Sequence, residues 1–267
     1  MTFQDAYDAL LDRWGVPVEQ LDIAGTHVNA CGRLDAPPLV LLAGHGATSP
    51  VWFTVAPKLA DRYRVYALDL PGDAGRSTAA PPRGVDDLIT WLTAVLDGLK
   101  ITQTTLCGHS YGAWIALTYS LAHPERVGRL ALIDPTDCFT GLRVSYIARA
   151  LPMLLRPSQR RYESFLRWET EGLPLDADWV RLAGLGTLEP TAKPVRPKRP
   201  NLEGLQADLL VVMAGKSKAH DPGTLAERAS AAGASVVRLE AATHHSLPAA
   251  HGDELSEIFQ ERAEPAL

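Results

Sequence analysis

The chain has 267 residues, of which 46% are hydrophobic and 21% charged, with a formal net charge of −5 and a pI near 5.9. This composition is typical of a globular protein that is long enough to bury a large core, and it argues against disorder. The negative charge disfavours nucleic acid as a partner. The cysteines are three, sparse and without a C-x-x-C pair, which argues against a disulfide framework or a zinc site.

The amino-terminal segment predicts an amphipathic helix with acidic residues, and it lacks the pattern of a secretory leader. No apolar run approaches the ~18 residues that a membrane span needs. We therefore expect a cytoplasmic protein with no membrane partner. Two basic clusters, around Arg160–Arg161 and Lys193–Arg199, are interpreted as solvated faces. The oligomeric state is left open.

In chain order, the pattern predicts a helix, a pair of short strands, and then strands that alternate with helices. The continuous apolar run at Leu39–Ala43 is typical of a strand buried on both faces of a parallel sheet. The expected strands are Val18–Ile23, His27–Cys31, Leu39–Ala43, Tyr63–Leu68, Thr104–Cys107, Val127–Ile133, Leu209–Met213 and Ser235–Leu239. The expected helices are Phe3–Trp14, Val55–Arg62, Leu88–Leu99, Tyr111–Ala122, Thr224–Ala231 and Glu254–Arg262. This alternation predicts an α/β fold with a mostly parallel sheet and helices on both faces.

One stretch, residues 138–200, contains no good strand. It predicts helices near Leu142–Leu155, Gln159–Thr170 and Ala177–Leu185, followed by a segment rich in proline and basic residues. We interpret it as a helical cap inserted between two sheet strands. Residues 1–137 and 201–267 then form the core.

The sharpest motif is Gly-His-Ser-Tyr-Gly at Gly108–Gly112, which matches G-x-S-x-G. A predicted strand precedes it and a predicted helix follows it, which is the context expected of a nucleophile elbow. Such a turn holds the serine in a strained conformation and needs small residues where strand and helix nearly touch. The motif predicts Ser110 as a nucleophile. A structural turn before a helix is the alternative.

Together with other segments in the same order, this motif resembles the α/β-hydrolase superfamily, and within it the small bacterial carboxylesterase-like members. Leu39–Gly46 is similar to the strand and oxyanion loop of that family, and Asp69–Ser77 is similar to its Asp-x-Pro-Gly-x-Gly-x-Ser segment with one extra residue. Ala122–Val127 is similar to its segment before the next strand. The resemblance implies that a small-molecule carboxylic ester, thioester or lactone is cleaved through an acyl-enzyme on Ser110, with no cofactor and no metal.

The resemblance also assigns an oxyanion hole. Its backbone N–H donors would be those of Tyr111, directly after the nucleophile, and of Ala47, directly after His45 and Gly46. We expect the His45 side chain to be structural.

For the general base, the family order of serine, acid and histidine leaves His244, His245 and His251. The family places the base between the last strand and the last helix. Spacing to Gly252–Glu254, where that helix is expected to start at Glu254, favours His245 over His244. A metal site is disfavoured because no H-E-x-x-H motif or second ligand cluster accompanies the paired histidines.

The acidic residue that orients the histidine is the point at which this sequence departs from the family pattern. Lys218 stands where the family usually carries Asp or Glu, a few residues after the strand Leu209–Met213. We favour Asp134 at the end of the preceding strand, with Asp221 as the alternative and Asp137 behind both. A further interpretation is that the triad has lost its acid.

Two other functions remain open at this level. The same site fits an acyltransferase or a natural-product cyclase, and Lys218 points towards a binding protein with a vestigial site. The cap would line the substrate pocket with Trp168, Tyr146, Phe139 and Met153, although these side chains equally suit the core of the cap.

Overall fold

The structure, a computed structural model, describes residues 1–261, and within them an eight-stranded sheet is covered by helices. The strands are β1 (Glu19–Ile23), β2 (Thr26–Cys31), β3 (Pro38–Leu42), β4 (Arg64–Leu68), β5 (Thr104–His109), β6 (Val127–Ile133), β7 (Asp208–Ala214) and β8 (Ser235–Leu239). Their order across the sheet is β1-β2-β4-β3-β5-β6-β7-β8. The β1–β2 and β2–β4 pairs are antiparallel, and all other neighbours are parallel. The mostly parallel sheet expected from the sequence is confirmed.

The helices also follow the expected order. They are α1 (Phe3–Asp12), α2 (Ala56–Leu59), α3 (Val85–Gly98), α4 (Tyr111–Ala122), α5 (Val144–Leu155), α6 (Gln159–Glu169), α7 (Ala177–Gly186), α8 (Pro222–Ala231), α9 (Ser246–Ala250) and α10 (Gly252–Glu261). The short helix α9 was not expected. Arg262, the expected end of the closing helix, and the rest of the core segment to residue 267 lie outside the described residues.

Both faces of the sheet are buried, and β3 illustrates how. Leu39 and Leu41 pack into a cluster with α1 and α10, whereas Val40 and Leu42 pack on the other face with α3 and α4. All four side chains are fully buried. Burial of one such side chain contributes about 1.5–3 kcal/mol to folding. The buried strands therefore hold the residues at their carboxyl ends in fixed positions.

The carboxyl ends of three central strands meet at one edge of the sheet. His109 at the end of β5 is in register with Ile133 at the end of β6, and Ile133 is in register with Val212 of β7. The next residues continue this order, because Ser110 N–H donates to the Ile133 carbonyl at 3.0 Å and Asp134 N–H donates to the Val212 carbonyl at 2.7 Å. In open parallel sheets, sites form outside this edge.

Helices α5, α6 and α7 lie between β6 and β7, inside the segment expected to be a cap. Helix α7 packs against α1, where Arg13 forms ion pairs with Asp176 and Asp178 at 3.0 and 3.2 Å. The division into a core and a separate cap stays a prediction. Among residues 1–261, no helix combines the length and apolarity needed to cross a membrane.

Candidate active site

The Gly108–Gly112 turn has the shape of a nucleophile elbow. Ser110 has φ 54° and ψ −115°, a conformation that L-residues rarely adopt. A Cβ on Gly108 would lie 2.2 Å from the Gly112 carbonyl oxygen, and one on Gly112 would lie 2.4 Å from the Ala43 carbonyl oxygen. Larger side chains at these two glycines would therefore push strand and helix apart. The amino terminus of α4 begins directly after the serine, where its dipole favours negative charge.

A hydrogen-bonded relay connects Ser110 to a buried carboxylate. Ser110 Oγ lies 2.9 Å from His244 Nε2, and His244 Nδ1 lies 2.6 Å from Asp134 Oδ2. A carboxylate only accepts hydrogen bonds, so Nδ1 carries the hydrogen and Nε2 is free to accept from the serine hydroxyl. Burial lowers the pKa of His244, and Asp134 opposes that effect only in part. The imidazole is thus held neutral with a basic nitrogen facing Ser110.

The expectation that His245 contacts Ser110 is wrong, because its ring points towards the helical insertion. It stacks on Tyr146 with ring centroids 6.4 Å apart and meets the edge of Phe165 at 5.5 Å. Its Nδ1 lies 3.3 Å from a carboxylate oxygen of Glu169.

The cause is the local turn that leads into α9. Thr243 N–H donates to Ser246 Oγ at 2.9 Å, and Ser246 Oγ donates to the Thr243 carbonyl. This reciprocal turn sends the side chains of His244 and His245 in different directions. Spacing counted back from α10 did not allow for α9, and so selected the wrong neighbour.

Asp134 is fully buried and accepts four hydrogen bonds. Its donors are the Ala214 N–H at 2.9 Å, Ser217 Oγ at 2.8 Å, His220 Nε2 at 3.0 Å and His244 Nδ1. Burial by itself raises the pKa of Asp134, but the two imidazoles more than offset this and hold the pKa well below its ordinary value. The carboxylate remains ionised although it has no contact with solvent.

The structure does not bring the alternative acid to this relay. Asp221 is half exposed and caps α8, accepting hydrogen bonds from the Thr224 N–H and hydroxyl at 2.9 Å each. Its other oxygen pairs with Arg143 at 2.7 Å. Lys218, at the position where the resemblance places the acid, donates to the Trp168 carbonyl and lies 3.7 Å from the Glu171 carboxylate.

The loop after β3, expected to supply an oxyanion donor, differs from the expectation. Ala47 N–H donates to the Gly44 carbonyl at 3.1 Å and is therefore not free for a substrate. Gly44 is the residue that lies against Ser110, since a Cβ there would lie 3.2 Å from Ser110 Cβ. Within residues 1–261, neither the His45 N–H nor the Tyr111 N–H donates to a protein acceptor outside regular helices and strands. Tyr111 is the first residue of α4, where intrahelical acceptors do not exist.

Asp73 holds this loop in place. Its Oδ2 accepts from Gly46 N–H at 2.8 Å and lies 2.9 Å from His45 Nδ1. Its Oδ1 accepts from Ala74 N–H at 2.9 Å. Although burial opposes it, the Asp73 carboxylate raises the pKa of His45. The His45 side chain thus fixes the loop.

Two residues around His244 were not singled out by sequence reasoning. His109 Nε2 donates to the His244 carbonyl at 2.9 Å, and burial lowers the pKa of His109 far enough to keep it neutral. Glu169 of α6 accepts from the His244 N–H at 2.9 Å. The position between the first glycine and the serine of G-x-S-x-G, and an acidic residue in the insertion, carry no sequence signal for these contacts, which depend on tertiary packing.

The aromatic residues expected to line the pocket divide into two groups. Tyr146, Met153 and Trp168 cluster with Phe165, and the Tyr146 ring lies 6.1 Å from the His244 ring. Phe139 is buried on the sheet side, in the core with α3, α4 and α8. The first group covers the relay from the side of the insertion.

Among residues 1–261, Asp134, His220 and His244 bring metal-ligand atoms within 4.8 Å of one another. All three are buried, and the imidazole nitrogens facing Asp134 lie at 3.0 and 2.6 Å, as hydrogen-bond donors do. This geometry is that of a hydrogen-bonded network around a carboxylate.

Comparison with known proteins extends these observations. A model of the Alpha/beta hydrolase family matches residues 39–258. The chain is 32% identical over 171 residues to the uncharacterized carboxylesterase nap of Bacillus subtilis, covering 62% of this chain and 56% of that protein. It is 30% identical over 175 residues to carboxylesterase YbfK of the same species, covering 64% of this chain and 58% of that protein.

A solved structure covers more of the chain. The crystal structure of naproxen esterase (carboxylesterase NP) from Bacillus subtilis superposes with a TM-score of 0.85 at 26% identity, covering 96% of both chains. In the curated sequence comparisons, the aligned part spans little more than half of each relative's length. The matched family model covers most of the chain, including β3 to α10 and the elbow. The chain therefore belongs to the alpha/beta hydrolase family.

Proposed function

We propose that this protein is a serine hydrolase that cleaves carboxylic esters through an acyl-enzyme on Ser110. The observation that carries the proposal is the unbroken relay from Ser110 Oγ through His244 to Asp134, with contacts of 2.9 and 2.6 Å. A serine hydroxyl is a weak nucleophile unless a base is in contact with it. Here the neutral ring of His244 supplies that base.

In the first step, Ser110 Oγ attacks the carbonyl carbon of the ester while its proton passes to His244 Nε2. A C–O bond forms, the carbonyl π electrons move to oxygen, and the imidazole becomes a cation. Asp134 stabilises that cation through Nδ1 and keeps the correct tautomer, as the carboxylate does in related triads. Its four hydrogen bonds keep it ionised for this task.

The negative charge on the former carbonyl oxygen needs preorganised donors. We assign them to the backbone N–H groups of Tyr111 and His45. Gly44 lies against Ser110, so the next peptide N–H along the loop is that of His45. Each such donor contributes a factor of about 10²–10³ in rate.

The tetrahedral intermediate then collapses. The bond from the former carbonyl carbon to the alcohol oxygen breaks, and His244 returns its proton to the leaving alcohol. Water attacks the acyl-enzyme by the same steps, with His244 as base, and releases the carboxylic acid. Acylation and deacylation therefore use the same residues.

The substrate class is a small acyl ester, with thioesters and lactones sharing the same chemistry. The names of the matched Bacillus proteins, two carboxylesterases and naproxen esterase, support ester cleavage. The side chains of Tyr146, Phe165 and Trp168 on α5 and α6 offer apolar surface beside His244 and favour an apolar acyl or alcohol group. In this proposal α5–α7 act as the cap.

The test is intact-mass spectrometry after incubation with a fluorophosphonate, which forms a stable adduct with activated serines. We expect one adduct on the native protein and none on Ser110→Ala. Ser145→Ala, at an exposed serine of α5, is the matched control and should react like the native protein. A Ser110→Ala variant that still gains the adduct would show that another residue reacts. Hydrolysis of a nitrophenyl ester series then measures the preferred acyl length.

A further inference from the structure

Glu169 is a carboxylate with no exposed surface at the carboxyl end of α6. Its Oε1 accepts a hydrogen bond from the His244 N–H at 2.9 Å. Its Oε2 accepts from Thr243 Oγ at 3.0 Å and from the His245 N–H at 3.2 Å. One side chain of the insertion therefore binds three consecutive residues of the loop that carries the base.

A buried carboxylate needs such compensation, because an ion removed from water without partners costs several kcal/mol. Burial raises the pKa of Glu169, but the His245 side chain, helped by His244, reverses this and lowers the pKa below its ordinary value. Glu169 is therefore an anion that faces the loop. A side chain needed only for packing would not have to be charged here.

The backbone of Glu169 is itself fixed. Lys218 donates to the carbonyl of Trp168, the residue directly before Glu169. The Lys218 ammonium also lies 3.7 Å from the Glu171 carboxylate. Cations are favourable at the carboxyl ends of helices. Lys218 therefore contributes to the site indirectly, by anchoring the helix end that presents Glu169.

The peptide units of His244 are held from two sides. Glu169 binds its N–H, and His109 binds its carbonyl oxygen at 2.9 Å. With both groups bound, the His244 backbone has little freedom to move. Misplacement of a reacting group by about 1 Å costs roughly 10²-fold in rate. The Ser110–His244 contact depends on this restraint.

We propose that Glu169 is a positioning residue through which the helical insertion holds the base loop in its reactive geometry, an inference that rests on the proposed serine hydrolase function. Glu169 does not touch Ser110. It acts through the backbone of His244, so its loss should affect turnover and leave substrate binding nearly unchanged. Its charge also favours the protonated form of His244.

The ionisable groups that face the His244 ring or the Glu169 carboxylate come from every element packed there. They are His109 from β5, Asp134 after β6, Tyr146 from α5, Tyr162 from α6, His220 after β7 and His245 from the loop itself. Each of these groups remains in place in a Glu169→Gln variant. A shift in the acidic limb of activity then reports the lost charge.

The experiment compares Glu169→Gln with Glu163→Gln, the same change at an exposed position of the same helix. Measurements are the rate of fluorophosphonate labelling, kcat and KM on a short nitrophenyl ester, and the pH profile of kcat/KM. For Glu169→Gln we expect kcat and the labelling rate to fall about 10²-fold, with KM changed less than threefold. The acidic limb of kcat/KM should move to lower pH, because the anion that favoured the imidazolium is gone. Glu163→Gln should match the native protein.

The outcomes separate the two proposals. If the native protein and Glu163→Gln do not react with the fluorophosphonate, the proposed function fails. If both react and a folded Glu169→Gln variant reacts equally fast with an unshifted limb, the positioning role is overturned. If Glu169→Gln does not fold, Thr243→Val removes one of the three donors with little change in volume. It must then lower kcat several-fold at constant KM, and native-like kcat would overturn the role.

Discussion

The carboxyl ends of β6 and β7 lie side by side but contribute to the site in different ways. The end of β6 supplies a charge, the Asp134 carboxylate. The last residue of β7, Ala214, and the loop after it, through Ser217 and His220, supply three of the four donors that surround this carboxylate. The family usually carries its acid on the β7 loop, where this chain has Lys218. In this chain a buried carboxylate at the end of β6 is compensated by donors from the end of β7 and the loop after it.

The strongest test of this comparison removes the charge at β6. Asp134→Asn should lower kcat by about 10⁴-fold, because an amide cannot stabilise the imidazolium of His244 and favours the wrong tautomer. Steady-state ester hydrolysis measures the effect. Asp137→Asn, the same change three residues later in the same loop, should leave kcat within about threefold of native. Near-native turnover by Asp134→Asn would contradict the assignment of the acid.

A second test asks whether the acid can be returned to the β7 loop. We expect Lys218→Asp, added to Asp134→Asn, to recover less than about a tenth of the lost activity. The side chain at position 218 reaches the Trp168 carbonyl on α6. Recovery to near-native kcat would mean that the two strand ends are interchangeable.

A third test weakens the donors on β7 without removing the charge on β6. Ser217→Ala deletes the 2.8 Å hydrogen bond to Asp134 Oδ2. Hydrogen bonds to charged groups contribute about 1.5–3 kcal/mol, so we expect kcat to fall about 10- to 100-fold. Ser235→Ala, at the start of β8, controls for the change in residue type. A Ser217→Ala variant as active as that control would show that the β7 loop is dispensable.

The pH dependence sharpens the same comparison. In the proposed mechanism the base must be neutral, so kcat/KM should fall as pH drops through the pKa of His244. Burial places that pKa below its ordinary value of about 6.5, while Asp134 stays ionised throughout. The acidic limb of kcat/KM, measured in the free enzyme, should therefore have its midpoint below pH 6.5. A midpoint above 6.5 would mean that Asp134 outweighs burial.

The smallest effect is expected at Asp221, the alternative acid. Asp221→Ala removes the side chain that caps α8 and should lower stability by about 1 kcal/mol, measured by chemical denaturation, with kcat unchanged. A large loss of kcat in a folded variant would return Asp221 to the relay.

The sequence was most informative where chemistry depends on neighbouring residues. The elbow needs Gly108, Ser110 and Gly112 in one turn, and each lies within two residues of the next. Continuous apolar runs, separated by helical segments, likewise predicted the strands and their burial. Asp134 was favoured because it follows the strand before Leu209–Met213, at the strand end where some members of the resembled superfamily carry the acid.

Errors arose where a loop conformation decides the outcome. His244 and His245 have the same chemistry, and only the Thr243–Ser246 turn determines which of them faces the serine. Ala47 was selected by its position after His-Gly, but the loop closes on Gly44 and uses that N–H internally.

Long-range contacts left no sequence signal at all. Glu169 reaches the base loop across 75 residues, and His220 reaches Asp134 across 86. Their side chains meet these partners only when the sheet and the insertion have packed, so the sequence positions alone do not indicate the contacts. Such residues are found by asking which buried charges have partners, since burial of a charge requires them.

The two backbone hydrogen bonds that run from Ser110 to Ile133 and from Asp134 to Val212 have a consequence for protein engineering. They set the separation of Ser110 and Asp134 by the pairing of whole strands. A slip of one residue in β6 would turn Asp134 to the opposite face of the sheet, whatever its side chain. Transfer of this chemistry to another scaffold therefore requires three strands in this alignment, and grafting the three side chains alone would not reproduce it.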